Sequence, residues 1–137
     1  MGNTVTRGGM EAAEDAVRIW HEKVGLPVEG SPVARFDPNE HGPGLAKVIE
    51  EVGELDSAAR EGESLAALGK ELADVLFSAI SFGALLGLPV GELFAAVVQS
   101  NFSKAGPRDP ETGFIPKGDS YRAPDIEAVL ARAGGGA

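Results

Sequence analysis

The chain has 137 residues and no cysteine, with 43% hydrophobic and 24% charged residues, figures that fit one ordinary domain folding without a disulfide or zinc staple. The lack of cysteine excludes disulfide frameworks, thiolate nucleophiles and Cys-ligated metal centres. A formal charge of −9, from 21 acids against 12 bases, argues against a nucleic-acid polymer or an anionic membrane as partner, because both need basic surface.

Residues 1–9 read as a frayed lead-in without the apolar core of a signal peptide, so a cytoplasmic location is expected. Met10–Val24 places Ala13, Ala16, Val17, Ile19, Trp20 and Val24 at helical spacing and predicts a first amphipathic helix, stopped by Gly25-Leu26-Pro27. Pro27, Pro32, Pro38 and Pro43 then predict a connection of about 18 residues, long enough to wrap or to serve function. A second helix is expected from about Gly44 to Arg60, a turn around Gly62, and a third helix ending near Gly87. The uncharged run Val75–Gly91, which begins in the third helix, is too short and too interrupted by Ser, Gly and Pro to span a membrane, which takes about 20 apolar residues, and reads as buried core. Pro89 suits the opening of a fourth helix reaching about Ser103. Ala105–Ala123 carries Pro107, Pro110 and Pro116 with Gly106, Gly113 and Gly118 and predicts an extended tail; Pro124–Arg132 predicts a short last helix, and Gly134–Ala137 a frayed end. No segment alternates with period two. The expected fold class is all-α.

The second helix contains Glu50-Glu51-Val52-Gly53-Glu54. Its apolar side is Leu45, Val48, Ile49, Val52 and Leu55, and spacings of three and four return Glu50, Glu51 and Glu54 to one different sector. The third helix carries Glu71 and Asp74 at the mouth of its apolar run. Two readings of these acids stay open: solvated faces that never meet, or four carboxylates converging on one cleft. Buried carboxylates cost several kcal/mol each unless a cation compensates. Lys47 and Lys70 are the only lysines obviously in reach, and an all-oxygen ligand set prefers Mg2+, with Mn2+ as a substitute, over zinc or copper.

Glu50-Glu51-x-x-Glu54 followed by Glu71-x-x-Asp74, with the segment Glu71-Leu-Ala-Asp-Val-Leu-Phe77, resembles the EExxE…ExxD signature of the all-α nucleoside triphosphate pyrophosphohydrolases. That superfamily includes MazG-like proteins, dimeric dUTPases, dCTP pyrophosphatases and phosphoribosyl-ATP pyrophosphohydrolases. The resemblance covers roughly Ala16 to Ile126. It implies a single domain over 1–137 with a four-helix-bundle core at about 10–104 and a substrate-binding tail at about 105–126. It also implies a dimer or larger assembly and Mg2+-dependent cleavage of a nucleotide between its α and β phosphates. Independently, Phe77, Ile80, Phe82, Leu85 and Leu86 of the third helix point in too many directions for one four-helix layer to cover, which predicts a homodimer or a dimer of dimers joined through that helix. Glu51, Glu54, Glu71 and Asp74 match the family's metal ligands. Glu50 matches the acid that activates water or holds a further metal. An Asn-x-Ser-Lys segment and a Lys-containing, Pro-ended tail resemble one dUTP-hydrolysing subgroup, which implies that Asn101, Lys104 and Lys117 face substrate phosphates. Tyr121 and Arg122 in the same tail are counted with them. The same tail speaks against a phosphoribosyl-ATP enzyme.

Trp20 lies on the first helix's apolar stripe, where core packing and a base-stacking wall both fit it. His21 and His41 have no Cys or second His beside them to make a metal site. No phosphate-binding glycine loop is present. The rival to an enzyme is a non-catalytic helical dimer or regulatory module, against which the complete acid set argues.

Overall fold

The computed structural model describes residues 2–134; Met1 and, of the expected frayed end Gly134–Ala137, residues 135–137 lie outside the described residues. Five helices follow in chain order: α1 (Gly2–Val24), α2 (Pro38–Arg60), α3 (Leu65–Leu85), α4 (Val90–Phe102) and α5 (Ile126–Arg132). Among the described residues there is no strand, so the fold is all-α as expected.

Two helix starts differ from expectation by six residues or more, and the last helix begins at Ile126, two residues after the expected Pro124. Helix α1 begins at Gly2, so most of the segment expected as a frayed lead-in is helical. Helix α2 begins at Pro38, six residues before Gly44, because its start is capped twice. The Asp37 carboxylate accepts hydrogen bonds from the backbone N–H of Asn39 and Glu40, and the His41 ring nitrogen Nδ1 accepts from the Asp37 N–H at 2.8 Å. Pro38 occupies the first helical turn, where no N–H is needed. His41, which had no assigned role, is therefore a capping residue. The Pro-rich connection shrinks accordingly to residues 25–37.

Helices α2 and α3 form the central hairpin, turned at Gly62 (φ +69°) and restarted by Ser64, whose side chain accepts from the Ala67 N–H. Helix α1 packs on α3 and α4, and α5 packs on α4. Helix α3 stops in a Schellman motif: Leu88 N–H donates to Gly83 O at 2.9 Å and Gly87 N–H to Ala84 O at 3.2 Å. The chain then turns through 117° into α4. No single helix among the described residues is long and apolar enough to cross a membrane.

The α1–α2 connection runs across this end of α3. Glu29 N–H donates to Ala84 O and Val33 N–H to Leu86 O, while Arg18 on α1 donates to Glu29 O. Gly87 stands at φ +66° and a Cβ there would collide with the Ser31 carbonyl. Gly87→Ala is therefore expected to lower stability by about 2 kcal/mol or more, combining left-handed backbone strain with displacement of the connection. Chemical denaturation compares the two proteins directly.

The packing of α2 inverts the usual rule. Glu51, a charged residue, is 7% exposed, whereas Ile49 on the helix's apolar side is 64% exposed. Leu45 and Val52 of α2 and Leu65, Leu72 and Leu76 of α3 are also exposed. Of the third-helix residues expected to need cover, Ile80 and Leu85 are buried and Phe77 is not.

Candidate metal and nucleotide site

The face that α2 turns toward α3 carries Glu40, Gly44, Lys47, Glu51 and Glu54, spaced by three and four. The answering stripe of α3 is Glu71, Asp74, Ser78, Ser81 and Leu85. Where the two stripes meet, one carboxylate oxygen each of Glu51, Glu71 and Asp74 lies within 4.8 Å of the others. Sequence spacing left convergence of the two acidic faces as one of two open readings, and the structure brings Glu51, Glu71 and Asp74 together.

Lysines on each helix reach the cluster. Lys47 Nζ lies 3.1 Å from Glu51 and 3.4 Å from Glu50, and Lys70 Nζ lies 2.7 Å from Asp74 and 3.6 Å from Glu71. The carboxylates raise both ammonium groups above the ordinary lysine range, Lys47 chiefly through its hydrogen bond to Glu51 and Lys70 through its hydrogen bond to Asp74. Both lysines are exposed, and the pairing is incomplete. Glu51 Oε2 and Glu71 Oε2 are buried and have no hydrogen-bond partner. Two orphaned, buried carboxylate oxygens in an all-oxygen cluster are what a hard divalent cation would satisfy.

Glu54 stands beside this cluster. Its carboxyl is raised above the ordinary carboxylate range, first by the charge of Glu51, then by a hydrogen bond shared with Glu51, and further by Glu71 and Glu50. Glu50 points to solvent, with its side chain more than half exposed and paired to Lys47.

A cavity of about 600 Å³ opens next to the acids, within the usual range for small-ligand sites. Glu51, Asp74 and Lys47 form its polar end, and Trp20, Phe77, Leu26, Pro27 and Leu85 its apolar walls. Trp20 and Phe77 meet edge to face with ring centroids 5.0 Å apart. Trp20 thus belongs to the cavity wall, where a flat ring could stack against it.

Behind the wall, His21 is fully buried. Its Nδ1 lies 2.8 Å from Pro27 O and its Nε2 2.6 Å from Ser81 Oγ. Sequence reasoning missed Ser78 and Ser81, since serines inside an apolar run read as tolerated polarity. The available signal was their place on one stripe with Glu71 and Asp74.

The tail residues stand elsewhere. Asn101, Lys104, Lys117, Tyr121 and Arg122 are absent from the lining of the cavity beside the acids. The tail is pinned to the end of α4: Ser100 Oγ donates to Arg122 O at 2.7 Å, Arg122 N–H donates to Ser103 Oγ at 2.7 Å, and Ser120 Oγ donates to Ser103 O at 2.9 Å. Lys117 sits over the Tyr121 ring, 4.8 Å from its centroid. Arg122 lines a separate cavity with Ser100, Asp125 and Arg132.

Comparison with protein families matches residues 17–101 to the family described as phosphoribosyl-ATP pyrophosphohydrolase. A search of curated proteins finds no match. The matched span contains all five acids, both flanking lysines and Trp20, His21, Ser78 and Ser81. It ends at Asn101, before the tail. The activity is accordingly of the pyrophosphohydrolase type, and the chain belongs to the phosphoribosyl-ATP pyrophosphohydrolase family, within the all-α MazG-like superfamily.

Proposed function

We propose that the chain is a Mg2+-dependent pyrophosphohydrolase that cleaves a nucleotide carrying a triphosphate between its α and β phosphates, releasing the monophosphate and pyrophosphate. The observation that carries this reading is the pair of orphaned, buried oxygens of Glu51 and Glu71, set at the polar end of a cavity whose other walls are apolar and aromatic. Polyphosphate and base call for those two chemistries side by side.

Glu51, Glu71 and Asp74, with Glu54 beside them, would hold the divalent cation. When bound, such an ion neutralises polyphosphate charge and acidifies water that is to attack phosphorus. Glu50, carboxylate free toward solvent on one side, takes the proton of the attacking water. Lys47 and Lys70 bring positive charge to the same end of the cavity. Trp20 and Phe77 receive the base.

The family match puts phosphoribosyl-ATP first among substrates to test. The tail had favoured dUTP and other deoxynucleotides, and it stands apart from the acids in this protomer. A panel of phosphoribosyl-ATP with the common ribo- and deoxynucleoside triphosphates, dUTP and dCTP included, is expected to yield monophosphate and pyrophosphate in equal amounts from at least one member with Mg2+. EDTA is expected to abolish the reaction. Release of orthophosphate instead would place the cut at another bond and overturn the assignment.

The exposed apolar residues of α2 and α3 support assembly with a second copy, and a two-fold arrangement is the commonest solution. Sedimentation at micromolar concentration is expected to show a dimer or a dimer of dimers. A folded 14.1 kDa monomer would contradict this.

A further inference from the structure

Two serines on α3 face the cavity with their hydroxyl protons already engaged. Ser78 Oγ donates to the Val75 carbonyl at 3.0 Å. Ser81 Oγ meets His21 Nε2 at 2.6 Å, and the direction of that bond follows from the other side of the ring. Pro27 O can only accept, so Nδ1 carries the proton that binds it. With Nδ1 the donor, Nε2 of the imidazole accepts, and Ser81 donates to it. What Ser78 and Ser81 have left for the cavity is lone pairs.

The other polar groups of that lining are mostly acceptors too, the carboxylates of Glu40, Glu51 and Asp74. Side chains three apart on a helix start about 5–6 Å from each other. Two acceptors each about 2.9 Å from a planar amino nitrogen, along its two N–H directions, stand about 5 Å apart. One amino group matches the serine pair. A carbonyl oxygen in the same place would set lone pairs against lone pairs.

We infer that Ser78 and Ser81, the latter oriented by His21, select nucleotides whose base carries an amino group at purine C6 or pyrimidine C4 (adenine or cytosine) over the keto counterparts hypoxanthine and uracil. This rests on the nucleotide-binding role proposed above. Ser78 and Ser81 are the specificity contacts, and His21 is a positioning residue acting through Ser81.

Trp20 is the only tryptophan of the chain, so its fluorescence reports occupation of the cavity it lines. The test titrates the protein with Mg2+ and the non-hydrolysable α,β-methylene analogues of ATP, ITP, CTP and UTP. The amino member of each pair is expected to bind about tenfold or more tighter than its keto partner, the scale on which buried hydrogen-bonding groups discriminate. Ser81→Ala and Ser78→Ala are each expected to reduce that ratio to about threefold or less, and Ser81→Thr, which keeps the hydroxyl, to restore it. A merely structural role would shift all four affinities together and leave the ratio intact. Equal or tighter binding of the keto analogues, no quenching by any of the four, or a ratio unchanged in both alanine variants would each overturn the inference. Failure of the pyrophosphohydrolase reading looks different: amino-selective quenching with no hydrolysis of any cleavable nucleotide.

Discussion

Glu71→Gln is expected to make the metal-free protein more stable while abolishing both its stabilisation by Mg2+ and most of its activity. The Oε2 atom of Glu71 is buried without a partner and shares a 4.8 Å cluster with Glu51 and Asp74. A buried polar atom left unpaired costs about 1–3 kcal/mol. The isosteric amide removes one negative charge and supplies an N–H that can donate to its acidic neighbours. A gain of about 1–2 kcal/mol in EDTA is expected, which for a chain of this size raises the melting temperature by several degrees. The parent protein should instead gain about 2.7 kcal/mol from Mg2+ at a hundredfold excess over its dissociation constant, and the variant very little. Turnover should fall by about 100-fold or more, the usual consequence of removing charge from groups that stabilise the transition state. Thermal denaturation in EDTA and in Mg2+, with a turnover assay, reads all three effects. A variant less stable in EDTA and still stabilised by Mg2+ would remove the cluster from the metal site.

The acids also give the metal-free protein a pH dependence. Glu54 is raised above its ordinary value of 4.5, first by the charge of Glu51, so the folded state holds that proton more readily than the unfolded state. Its contribution to stability is complete below about pH 4.5 and is lost as pH rises through the raised folded value. Saturating Mg2+ should flatten this decline, since the cation replaces the proton as the compensating charge.

Glu50→Gln is expected to lower turnover by about 10²–10⁴-fold without recovery at high Mg2+, the cost typical of removing a general base. Glu54→Gln should behave differently. Loss of a negative charge beside the cation shifts the Mg2+ dependence to higher concentration, and part of the activity returns there. The contrast follows from placement, because Glu54 feels the charges of Glu51 and Glu71 whereas Glu50 faces solvent and touches Lys47. The Lys47 pair does not confuse the result: Lys47 keeps Glu51 as a partner, and an exposed pair contributes at most about 1 kcal/mol. Turnover measured against Mg2+ concentration separates the two variants. Full rescue of Glu50→Gln by metal would make Glu50 a ligand.

Helical periodicity was enough to read the all-α class, the four long helices and the stop at Gly87. These depend on local events: a 3.6-residue repeat of apolar side chains, a proline that cannot continue a helix, a glycine that tolerates φ +66°. The same periodicity put Glu51 with Glu54, and Glu71 with Asp74, on single faces. Local reading went wrong at α2, where Pro38 and Pro43 suggested a loop. A helix can begin on Pro38 because Asp37 and His41 cap it, and the His41 contribution is a side chain reaching back four residues.

The helices and the chemistry each face carries follow from residues within two turns of one another, so both are legible along the chain. Which faces meet is set by packing between helices. The α2–α3 hairpin turns Glu51 inward and leaves Ile49 outside, against the usual sorting by polarity, and its register sets Glu51 within reach of Glu71 and Asp74. Packing likewise joined His21 to Ser81 across 60 residues and held the basic tail on α4, away from the acids. Distances of that kind come from packing between helices, and no spacing along the chain encodes them.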